Sequence, residues 1–200
     1  TVGAAHTLSI AEGKTLTCTV KYGIGFKAGS NISLTIQGEG EGSKLVINAD
    51  NDGRAITNGT LTLNNITVDI TSGIFDPTNL TVGSGATINV DAADQTYPLQ
   101  STNLTVNDGG TININKFKGN GINIGYTLTI NSGGTVKVGN GTGDNRGVYI
   151  RAKASIVLNG GTLEGTGEDK GGNIYLQQNA KVTGMSGKIV DQGKELSENE

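Results

Sequence analysis

Short runs of alternating apolar and polar residues recur along this chain, and one phrase returns through most of it. It reads Leu61-Thr62-Leu63, Leu80-Thr81-Val82, Leu104-Thr105-Val106, Leu128-Thr129-Ile130 and, more loosely, Ile156-Val157-Leu158, at intervals of 19, 24, 24 and 28 residues. After the phrase comes a glycine-rich corner, as in Asn107-Asp108-Gly109-Gly110, Asn131-Ser132-Gly133-Gly134 and Asn159-Gly160-Gly161. A second short strand follows, such as Thr111-Ile112-Asn113-Ile114 or Thr135-Val136-Lys137-Val138, and a third apolar station precedes the phrase at Ile24, Ile56, Ile74, Leu99, Ile122, Val148 and Ile174. The period of two and the shortness of the runs predict strands, three to a repeat, and the Thr, Asn and Gly enrichment argues against helical repeats.

Strands this short cannot satisfy their backbone groups within one repeat, because an isolated coil exposes every edge donor and acceptor and buries almost nothing. Stacking the repeats answers both needs. Each strand then pairs with its equivalents above and below, and the inward Leu, Ile and Val residues form a core distributed along an axis. The expected fold is therefore all-β, a right-handed single-stranded parallel β-helix of three-strand coils, about seven or eight of them. Residues 1–193 form the solenoid, with 7–20 a partial first coil and 21–190 the main coils. Residues 194–200, Lys-Glu-Leu-Ser-Glu-Asn-Glu, are a charged tail, either a cap or a linker to a further domain.

Composition agrees with a solenoid. Aromatics make up 4% and hydrophobics 34%, poor for a closed globular core, yet a net charge of -3 and ordered alternation speak against disorder. The balance of 15 basic and 18 acidic residues offers no basic stripe for nucleic acid. No apolar run is long enough to span a bilayer in this segment, and a start at Thr1 leaves room for a leader upstream. The single cysteine, Cys18, falls on an inward position and reads as a small buried filler.

In these repeats the chain resembles the parallel β-helix modules of secreted bacterial proteins, including adhesins, autotransporter-type passengers and the scaffold of pectate lyases, over roughly residues 7 to 190. The resemblance implies a secreted or cell-surface setting in bacteria and a glycan or host cell-surface ligand. It marks an architecture and carries no activity with it. The function expected is non-catalytic adhesion or carbohydrate attachment. The alternatives are a polysaccharide lyase or glycoside hydrolase of the β-helix type, and a passive spacer. Catalysis has little material to work with: the lone histidine, His6, precedes the regular coils, and the best lyase candidates, Arg54 and Arg146, are arginines beside aspartates in turns.

Candidate binding residues cluster on the third face, where the outward positions run Thr57, Phe75, Gln100, Asn123, Tyr149 and Tyr175. Tyr149 and Tyr175 should stack on adjacent coils and offer aromatic surface to sugar rings, with Asp144, Arg146, Arg151, Asn173 and Gln177 near enough to bond hydroxyls; a purely structural cross-strand pair is the competing reading. No cofactor is required. Asp50 and Asp52 are the candidates for Ca²⁺, which takes oxygen ligands, but Asp, Asn and Gly are also ordinary turn residues. The outward threonines Thr62, Thr81, Thr105 and Thr129 form a hydroxyl file explained by strand propensity, and it breaks at Val157.

Overall fold

The computed structural model describes residues 4–21, 24–27, 32–50, 53–139, 141, 146–165, 174–184, 186–191 and 194–195. Among them there is no helix, and parallel strands stack as a solenoid of about six turns. The expectation of seven or eight also counts end strands whose coils are not closed. In Ala5–Ile10 and Thr15–Val20, for instance, only Ile10 and Val20 are buried.

The aliphatic stations align as stacking requires. Leu34, Leu61, Leu80, Leu104, Leu128 and Ile156 pair coil to coil along the first face. On the second face the file is Leu45, Val68, Ile88, Ile112, Val136 and Leu163. All of these except the partly buried Leu34 are sealed from solvent, and each contributes roughly 1.5–3 kcal/mol on leaving water. Cys18 packs against this core partly buried, and burial pushes its thiol pKa up, away from a reactive thiolate.

Hydrogen bonding divides the three faces into two sheets, not three. Leu99–Val106 and Ile122–Asn131 run unbroken around the corner between the third and first faces and join them. That corner lengthens from coil to coil: Thr102 alone, then Gly125-Tyr126, then Arg151–Ala154 and Gln177–Ala180. At the far end Lys194–Glu195 pairs antiparallel with Lys188–Asp191.

Outward amides tie the coils together. Asn159 donates to Asn131 and Asn131 to Asn107, at 3.0 and 2.9 Å, while Asn64 stands apart because Gly83 occupies the level between. A second ladder runs from Asn103 through Asn79 to Thr60. On the second face Asp69 shares the file of Asn89, Asn113, Lys137 and Glu164; Asn89 donates to the Asp69 carboxylate at 2.9 Å.

The third face departs from the expected alternation. Phe75 pairs with Ile56 on one side and Leu99 on the other, so it is Phe75 that points inward, fully buried, while Ile74 is partly exposed. A register shift between Arg54 and Ile56 accommodates the change, and the larger apolar surface of phenylalanine outweighs that of isoleucine for the inner site. Nearer the N-terminus Phe26 pairs with Ile56 and Ile24 with Arg54. Thr57 and Asn123, expected on the surface, are buried, Asn123 in contact with the Arg151 side chain.

Candidate functional site

Moving Phe75 inward brings Asp76 outward. Asp76 pairs with Thr57, and with Phe75 opposite Leu99 it precedes Gln100, Asn123, Tyr149 and Tyr175 along one file. Its carboxylate accepts from the Arg54 guanidinium. Arg151, which donates its Nε–H to Asn123 Oδ1 at 3.0 Å, adds a second positive charge nearby. Asp76, Gln100, Ser101, Thr102, Asn123 and Arg151 line a polar groove of about 230 Å³. Arg54 is therefore engaged as an ion-pair partner, and Asp76 is a site residue that strict alternation concealed. The signal for it was the side-chain volume of Phe75 next to Ile74.

Burial raises the Asp76 pKa above its ordinary 3.8, outweighing the pull of Arg54 and Arg151. With its pKa higher folded than unfolded, the folded protein takes up the proton first as pH falls, so protonation favours the fold. Stability of the wild type relative to Asp76→Asn is expected to rise as pH drops from about 7 towards about 4, read from paired denaturation midpoints. A relative loss in acid would mean that the ion pair, and not burial, governs this carboxylate.

At the C-terminal end of the file Tyr149 and Tyr175 lie parallel, with ring centres 5.6 Å apart and planes within 1°. The Arg146 guanidinium carbon sits 3.4 Å from the Tyr175 centre and 5.4 Å from that of Tyr149. A carbon that close to a ring centre must lie above the ring face. In a face-to-face stack it would then be either wedged between the rings or a full ring spacing farther from Tyr149. Neither fits, so the pair is slipped sideways and Arg146 covers the Tyr175 face in a cation–π contact. The expected aromatic pair is present, but a guanidinium with its fork of donors rests on it.

Gln177 occupies the position equivalent to Arg151 one coil on, and its side-chain oxygen accepts from the Ala152 amide at 2.9 Å, which ties two turns together. Asp144, Asn173 and Asp52 lie outside the described residues. Asp50 is exposed at the end of Lys44–Ala49, and among the described residues no three His, Cys, Asp or Glu side chains group as metal ligands. No helix among them is long and apolar enough to cross a membrane.

Fold and site together define a parallel β-solenoid with a polar and aromatic strip along one face. No protein-family model, curated protein or solved structure matches the chain.

Proposed function

We propose that this solenoid is a secreted or cell-surface bacterial module for adhesion or carbohydrate attachment, acting without catalysis. The observation that supports it is the continuity of the third face. The Asp76–Gln100–Asn123–Arg151 groove leads along the same file into the Tyr149–Tyr175–Arg146 cluster. Such a strip suits a sugar chain, whose hydroxyls need paired donors and acceptors and whose C–H faces pack on aromatic rings. Parallel strands repeat about every 4.8 Å, so the strip presents a linear ligand with groups at regular intervals and on a stiff backing.

The test is glycan-array binding and cell attachment by the purified protein, beside a Tyr149→Ala/Tyr175→Ala double variant. Retention is expected to weaken about tenfold or more in the variant, in line with losing aromatic contacts worth about 1 kcal/mol or more each. Unchanged retention would remove the third face as the binding surface. Calcium-dependent release of unsaturated oligosaccharides would establish a lyase instead, and no ligand on any array would leave a spacer.

A further inference from the structure

Around the corner from this strip, on the first face, lies a second groove, of about 630 Å³. The lengthening of the corner creates it. The coil with a two-residue corner pushes Tyr126 out, and the coils beyond, with four-residue corners, raise Lys153 and Asn179 beside it. Tyr126 is 65% exposed, the most exposed of the large apolar and aromatic side chains among the described residues, and its ring stacks on no aromatic or cation there. The more open aromatic ring is thus Tyr126 and not Tyr175, which is 37% exposed and covered by Arg146.

The rest of the lining is chemically specific. Val157, the residue that interrupts the outward threonine file, supplies an apolar patch. Ser155 and Thr183 contribute hydroxyls, and Lys153 and Lys181 contribute two ammonium groups that form no ion pair among the described residues. Lys153 also holds a left-handed backbone, φ 68°, at the position where the next coil has Asn179 at φ 64°. Asparagine tolerates that conformation better than lysine, so lysine here is a poor choice for the turn and a good one for the groove.

We infer that this groove binds an anionic carbohydrate, with a sugar ring packed on Tyr126 and Val157 and its carboxylate or sulfate held between Lys153 and Lys181. A neutral sugar would leave both ammonium groups unused. A nucleic acid strand would need a longer run of cations than a chain with 15 basic and 18 acidic residues places here. The assignment is independent of the third-face strip, because the two grooves have no lining residue in common.

The experiment titrates the whole protein with three oligosaccharides, one of uronic acids, one sulfated and one neutral, and with a single-stranded oligonucleotide as competitor. Binding is expected for at least one acidic oligosaccharide, which also identifies the anion, and it should weaken with added salt. Lys153→Asn/Lys181→Gln should lose about tenfold or more in affinity, the scale of hydrogen bonds to charged groups. Lys153→Asn suits the backbone better than lysine, so that loss cannot be put down to misfolding. Tyr126→Ala should weaken binding too. The inference fails if neither acidic oligosaccharide binds, if the neutral one binds as tightly, if the lysine variant binds like the wild type, or if the oligonucleotide displaces the sugar at lower concentration.

Discussion

Replacing Phe75 with alanine is expected to cost about 3–5 kcal/mol of stability, read as a drop in the midpoint of chemical denaturation. Phe75 is completely buried and, with Phe117, heads the largest sealed side chains. A solenoid core is narrow, and the coils above and below can collapse into the vacated volume only by breaking their own register. Strict alternation would instead put this ring in solvent, where truncation changes stability by no more than about 0.5 kcal/mol. The companion substitution Ile74→Ala should be the milder one. If Ile74→Ala proved costly and Phe75→Ala neutral, the inward register described for this strand would be wrong, and Asp76 would leave the site with it.

Gly134→Ala should destabilise by about 1–3 kcal/mol, the ordinary penalty of overpacking, and should exceed the penalty of Gly133→Ala. The two glycines of this corner do different work. Gly133 has φ 75°, and its added methyl would meet mainly the movable side chain of Asp108. Gly134 is not left-handed; a Cβ there would stand 2.8 Å from the Val106 carbonyl oxygen, 3.0 Å from that of Asn131 and 3.1 Å from that of Asn107. Those oxygens belong to backbone that cannot rotate away, so the methyl would pry one coil from the next. Gly110 one coil earlier meets Val82, Asn107 and Gly83 oxygens in the same way, and the same ordering should hold for Gly109 and Gly110. Equal melting temperatures for the two members of a pair would show that the corner is loosely packed.

Much of the fold was legible because a solenoid repeats its physics in the sequence. Leu80, Leu104 and Leu128 recur with the phrase that carries them, and they do pair from coil to coil. The Asn107–Asn131–Asn159 ladder follows from equal offsets within each repeat. Tyr149 and Tyr175 could be placed side by side for the same reason. The reading failed where repeats differ in length. The register shift between Arg54 and Ile56 hid Asp76, and the corner growing from Thr102 to Gly125-Tyr126 produced both a merged sheet and the exposed Tyr126. A side chain in an insertion has no equivalent in the neighbouring coils from which to infer its direction.

By itself, then, the order of residues determined that short strands must stack, which aliphatic residues fill the axis and which amides run in ladders, because each of these depends on a period that one dimension records. Only the tertiary structure decided that Phe75 faces inward and Asp76 outward, that Arg146 lies on Tyr175, and that Lys153 and Lys181 share a groove with Tyr126. Those outcomes turn on competition for a fixed inner volume and on contacts between residues of different coils. Such terms belong to the packed stack and have no counterpart in the local pattern.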